Sequence, residues 1–298
     1  MSSAVSTPTR ARRTVDAPDG ARIAVTDHPA ASGSATGPTV VLAHGWCLTH
    51  EAWDPVVEEL QRRRPHLRVI SYDQPGHGHS TPGLDRSVSL LDLGATLREV
   101  VAETVPDGDV VLAGHSMGGM TVMALAAVDP ELVRARVRGV ALVGTAAHLG
   151  NRRPVRGEGL AMGLLGRLPA AYRGLPTTSR LTAKNLFGVD PDPEAVAATA
   201  RMTSRTRANV ISDWHRAIGE LDLRADLAPF VDVRTVVLTG ARDRLTPVSA
   251  GRRIAAGIPG STFWSLPGVG HMITYEATST VADKIELLLD AEPTSQRV

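Results

Sequence analysis

The chain is 298 residues long, with 32 basic and 31 acidic residues and a formal net charge of +1, which gives no electrostatic case for a nucleic acid or an anionic membrane as partner. Its one cysteine, Cys47, excludes a disulfide framework and a cysteine-based metal site. No stretch approaches the roughly 20 apolar residues of a membrane span. Residues 1–13 are Ser/Thr-rich and then basic, without the apolar core of a signal peptide, so a cytoplasmic protein is expected.

In chain order, residues 12–15 and 22–26 flank the turn-rich Ala17-Pro18-Asp19-Gly20, a hairpin signal. Thr39–Ala43 is an apolar, β-branched run, read as a buried strand ending in His44-Gly45-Trp46-Cys47. A helix is expected over 51–64, closed by Pro65, and a strand over 67–72. That strand runs into Asp73-Gln74-Pro75-Gly76-His77-Gly78-His79-Ser80. Apolar residues at helical spacing mark 88–105, followed by a strand over 109–113, a helix over 117–128 and a strand over Val137–Val143. This alternation argues for a parallel sheet covered on both faces.

The rhythm breaks over residues 146–229. No strand is expected there, only short helices interrupted at Pro154, Pro169, Pro176 and Pro191-Asp192-Pro193. It resumes with a strand over 235–238, a helix over 247–256, a strand over Thr262–Leu266 and a last helix over 274–289. The expected organisation is one sheet domain, residues 10–145 and 230–292, with 146–229 inserted as a helical cap. The sequence carries no signal for oligomeric state.

The stretch that carries chemistry is Gly114-His115-Ser116-Met117-Gly118-Gly119. The pattern Gly-x-Ser-x-Gly means little alone in a chain with 28 glycines. Between a strand and a helix it reads as a nucleophile elbow, with glycines where a Cβ would meet the adjoining backbone. A serine hydroxyl needs a base and a group that orients the base. Asp243 follows the strand over 235–238, and His271 lies in Pro267-Gly268-Val269-Gly270-His271, after the last strand. Both stand at the carboxyl edge of the sheet, in the chain order Ser, Asp, His of this elbow type. Imidazole suits a base because its ordinary pKa is about 6.5. The expected oxyanion donors are the backbone N–H groups of Met117 and, from the loop after Thr39–Ala43, Trp46.

His44-Gly45-Trp46, the Asp73–Ser80 loop, Gly114 to Gly119, Gly240-x-x-Asp243 and Gly270-His271 together resemble the α/β-hydrolase superfamily, in its Ser-nucleophile branch, over about residues 15–290. The resemblance implies a mostly parallel eight-stranded sheet flanked by helices, with a helical cap over the site. It makes Asp73, His77 and His79 part of a structural loop, and no metal is expected. A serine at position 116 argues against the haloalkane dehalogenases and epoxide hydrolases, whose nucleophile is an aspartate. Ester, thioester, lactone, carbon–carbon and peracid chemistry share these motifs.

The expected function is therefore hydrolysis of a small carboxylic ester with an apolar acyl or alcohol moiety, without a cofactor. A cofactor-free haloperoxidase or perhydrolase, a lactonase or thioesterase, and a non-catalytic ligand-binding protein are the alternatives. Met162, Leu165 and Trp214, among the apolar residues of the insertion, are expected to line the substrate pocket. The insertion's arginines, Arg152, Arg153, Arg156, Arg167 and Arg173 among them, are expected on solvated faces.

Overall fold

In the computed structural model, residues 10–31, 34–84, 87–149, 158–169, 171–174 and 178–290 are described. Pro154, Pro176, Arg152, Arg153 and Arg156 lie outside them.

Eight strands form one sheet. They are β1 (Ala11–Asp16), β2 (Arg22–His28), β3 (Thr39–Ala43), β4 (Val69–Tyr72), β5 (Val110–His115), β6 (Val137–Val143), β7 (Arg234–Gly240) and β8 (Thr262–Leu266), in the spatial order β1-β2-β4-β3-β5-β6-β7-β8. The β1–β2 hairpin and the β2–β4 pair are antiparallel, and every other pair is parallel. The middle strands are apolar on both faces because helices cover both. Alternate residues feed two cores: Val41, Ala43, Val110 and Leu112 point into one, and Val40, Leu42, Val111 and Ala113 into the other.

The helices follow the strands. α1 (Asp54–Arg63) follows β3, α2 (Leu90–Thr104) follows β4, and α3 (Met117–Val128) and α4 (Pro130–Arg136) separate β5 from β6. Ser89 and Asp92 start α2 with a reciprocal capping box. Between β6 and β7 come α5 (Glu158–Leu165), α6 (Ser179–Leu186), α7 (Pro193–Arg205) and α8 (Ala208–Gly219). Pro193 opens α7 rather than breaking it. It occupies the first turn, where a missing N–H costs nothing, behind an Asp192 cap that accepts from the Glu194 and Ala195 N–H groups. α9 (Val248–Gly257) joins β7 to β8.

The single helix expected over 274–289 is two. α10 (Ile273–Glu276) is separated from α11 (Thr278–Leu289) by Ala277 at φ −141°, and the Thr278 hydroxyl donates to the Thr274 carbonyl at 2.8 Å across the break. A small apolar cluster, with Leu48 and Ala52 from the loop after β3, Phe187, Val196 and Met202 from the 187–205 region, and Met272, ties the inserted helices to the carboxyl edge of the sheet.

Candidate active site

Ser116 sits between β5 and α3 with φ 54° and ψ −117°, a conformation that costs a non-glycine residue of order 1–3 kcal/mol. Its neighbours hold it there. The Ser116 N–H donates to the Val143 carbonyl at 2.9 Å, and the Thr145 hydroxyl donates to the Ser116 carbonyl at 2.7 Å. The flanking glycines are needed for space. A Cβ at Gly114 would lie 2.2 Å from the Gly118 carbonyl oxygen, and one at Gly118 would lie 2.0 Å from the Ala43 carbonyl oxygen.

Asp243 and His271 arrive on loops that are stitched together. The Ala241 N–H donates to the Leu266 carbonyl and the Arg242 N–H to the Val269 carbonyl, at 2.9 and 2.8 Å. Gly240 runs so close to the histidine loop that a Cβ would fall 1.9 Å from the Gly270 carbonyl oxygen. In consequence the His271 Nδ1–H donates to Asp243 Oδ2 at 2.8 Å, with both side chains buried. Asp243 also accepts from the Leu245 and Thr246 N–H groups and from the Thr246 hydroxyl. Burial alone would raise the Asp243 pKa, but the His271 charge and these hydrogen bonds hold it below the usual carboxylate value.

The elbow and the histidine loop meet through His115. Its Nε2–H donates to the His271 carbonyl at 2.8 Å, and the two rings lie 4.9 Å apart. Burial and the neighbouring His271 push the His115 pKa down to about 3, so the ring is neutral. Gly144, just after β6, faces the same junction: a Cβ there would be 3.5 Å from both Asp243 Oδ2 and the His271 carbonyl oxygen. Among the described residues the Ser116 hydroxyl makes no hydrogen bond, while its backbone N–H and carbonyl are both engaged.

The loop after β3 lies against Ser116: a Cβ at Gly45 would be 3.1 Å from Ser116 Cβ. Among the described residues neither the Trp46 nor the Met117 backbone N–H has an acceptor. The loop is braced from below by His44, whose Nε2 accepts the Gln74 N–H at 2.9 Å while its Nδ1–H donates to the Gly45 carbonyl at 2.7 Å. Among the described residues no group of three or more His, Cys, Asp or Glu side chains is arranged to hold a metal ion. Asp73, in the histidine-rich loop, is taken up by His50 and the His79 N–H.

Trp214 is buried, and its indole N–H donates to the Pro75 carbonyl at 3.1 Å, so it seats α8 on the loop after β4. The next residue, His215, has its ring 5.7 Å from that of Trp46, on the loop after β3. Met162 and Leu165 are half-buried on α5, and the Ser212 hydroxyl of α8 donates to the Met162 carbonyl at 2.8 Å.

Residues 38–278 match the family model of the alpha/beta hydrolase fold. The chain belongs to the α/β-hydrolase family. It is an α/β-hydrolase enzyme, and none of the helices among its described residues is long and apolar enough to cross a membrane. A pimeloyl-acyl-carrier-protein methyl ester esterase of Xanthomonas campestris is 27% identical over 263 residues, covering 86% of this chain and 97% of that protein. Among solved structures, a hydrolase from Pseudomonas aeruginosa is 26% identical with a TM-score of 0.77, covering 94% of this chain and 98% of its own. A thermophilic esterase from Thermogutta terrifontis shares the fold at a TM-score of 0.75 and 24% identity, covering 95% of this chain and 98% of its own.

Proposed function

We propose that this α/β-hydrolase cleaves carboxylic esters with an apolar acyl or alcohol moiety, through Ser116, His271 and Asp243. His271 takes the Ser116 proton as Oγ attacks the ester carbonyl, then gives it to the departing alkoxide. Water attacks the resulting acyl-enzyme by the same route in reverse and regenerates Ser116. Asp243 keeps the His271 proton on Nδ1, leaving Nε2 free to act. Trp46 and Met117 N–H groups receive the charge that develops on the carbonyl oxygen. Removing one such donor typically costs about 2.7–4 kcal/mol in the barrier.

The observation that carries this reading is the buried Asp243–His271 hydrogen bond beside a serine held at a positive φ. We also propose that residues 146–229 act as a cap on the core, with Met162, Leu165 and His215 bordering the substrate. The Xanthomonas relative is named for hydrolysis of a methyl ester, so the test panel pairs methyl with aryl esters over a range of acyl lengths. We expect a graded profile favouring apolar acyl chains, because one methylene is worth only about 1–3 kcal/mol of discrimination. A fluorophosphonate should label the wild type, whereas Ser116→Ala should take no label and lose ester hydrolysis while staying folded. Wild-type turnover in Ser116→Ala would sink the assignment.

A further inference from the structure

The histidine loop is held from the side of the insertion as well as from the sheet. The His271 and Met272 N–H groups both donate to the Leu186 carbonyl at the end of α6, at 2.7 and 3.2 Å. The Val189 N–H donates back to the Gly268 carbonyl at 2.8 Å. The two segments touch backbone to backbone: a Cβ at Gly188 would fall 1.8 Å from the Gly268 carbonyl oxygen, and one at Gly270 would fall 2.4 Å from the Phe187 carbonyl carbon.

One side chain spans this seam. Glu276 Oε2 accepts the Gly188 N–H at 2.6 Å and the Gly270 N–H at 2.9 Å, joining the insertion to the residue just before His271. Among the described residues its other oxygen is buried without a hydrogen bond. Asp190 and Asp192 line the same cleft as Glu276, and the carboxylate is kept there against the cost of burial. Burial holds its pKa above the ordinary value. A group with one oxygen doubly used and the other unpartnered is placed for the bridge it makes rather than for solubility.

We propose that Glu276 is a positioning residue for the general base, holding the 186–189 segment and the histidine loop together through one oxygen so that the insertion sets where His271 stands. Reach, more than charge, is what the bridge requires. Glu276→Gln keeps an oxygen at the same distance and loses the charge. Glu276→Asp keeps the charge and is one methylene too short to span both N–H groups. Small misplacements of a reacting group cost up to about 10²-fold. Per active site titrated with fluorophosphonate, Glu276→Asp should therefore lower kcat by roughly 10- to 100-fold at little change in KM for an acetate ester. Glu276→Gln should stay within about threefold of wild type.

The inference rests on the reading of Ser116 and His271 as catalytic, and the two fail differently. Wild-type protein that takes no fluorophosphonate label defeats that reading. Labelled wild type with Glu276→Asp at full kcat, or with Glu276→Gln as slow as Glu276→Asp, defeats the inference alone. If Glu276→Asp yields no folded protein, amide hydrogen exchange on the wild type and Glu276→Gln decides. The Gly188 and Gly270 amides should be protected to the same degree in both, and unprotected amides in the folded wild type overturn the bridge.

Discussion

Among the described residues are two buried aspartate–histidine pairs of nearly the same geometry. Asp243 holds His271 Nδ1 at 2.8 Å, and Asp73 holds His50 Nδ1 at 2.9 Å. They differ in what surrounds them. Asp73 is fully spoken for: Oδ1 accepts both the backbone and ring N–H of His50, Oδ2 accepts the His79 N–H, and Gly78, at φ +50°, passes so close that a Cβ would lie 2.2 Å from Oδ2. That pair fastens the loop after β4 to the loop after β3. Asp243 holds its histidine on two stitched loops beside a strained serine with an open hydroxyl. An aspartate–histidine pair is thus a fastening wherever it occurs, and becomes a candidate catalytic group only beside a nucleophile.

Asparagine substitutions should break the two pairs in opposite ways. Asp243→Asn leaves the shape intact but lets the imidazole turn the wrong tautomer toward Ser116. A drop in kcat of about 10⁴-fold is expected, the size seen for that change in serine proteases. Asp73→Asn should cost roughly 3–5 kcal/mol of stability, the range for breaking a buried pair. Its kcat per titrated site should stay within about threefold of wild type. Urea unfolding and active-site titration on the two variants decide this, and a large kcat loss in folded Asp73→Asn would erase the distinction.

Acidity separates them further. Burial disfavours both charged partners of the second pair, yet their mutual hydrogen bond and charge prevail: the His50 pKa lies above its ordinary 6.5, and Asp73 falls to about 2. A raised histidine contributes stability in full below 6.5 and loses it as pH rises through the folded value. A lowered carboxylate contributes above its ordinary 3.8 and loses it as pH falls toward about 2. The Tm gap between wild type and Asp73→Asn should therefore be widest between about pH 4 and 6.5 and narrow on either side. For Asp243, also lowered, the gap to Asp243→Asn should fade on acidification.

The two regions were not equally legible in the sequence. β6 and β8 fall where the apolar runs place them, and the elbow reads directly because its constraints are local: Gly114 and Gly118 lie within two residues of Ser116. The pairing of Asp243 with His271 was also accessible, since strand order alone brings both loops to one sheet edge. The Glu276 bridge was not, because its partners Gly188 and Gly270 are separated in sequence and share only backbone N–H groups, which no residue type announces. The break at Ala277 was hidden for a related reason. Alanine favours helix, so no residue type announces the bend between α10 and α11.

The rotation of α8 was the least legible feature, and it gives the smallest effect. Apolar residues at 210, 211, 214 and 217 all are buried, so periodicity leaves open which of them faces the substrate. Trp214 faces the core: it joins the main hydrophobic cluster, and its indole N–H reaches the Pro75 carbonyl. Trp214→Phe keeps most of the apolar area and removes that one hydrogen bond. The loss in stability should be about 1 kcal/mol from the bond, with a further part from the cavity left by the smaller ring. KM for acetate and long-chain esters should move together or not at all. His215→Ala, one residue on, is the counterpart, since its ring borders Trp46 and should shift KM with little effect on Tm. If Trp214→Phe instead changed the acyl-length profile while His215→Ala left it alone, α8 would present Trp214 to the substrate after all, and the assignment of its two faces would have to be reversed.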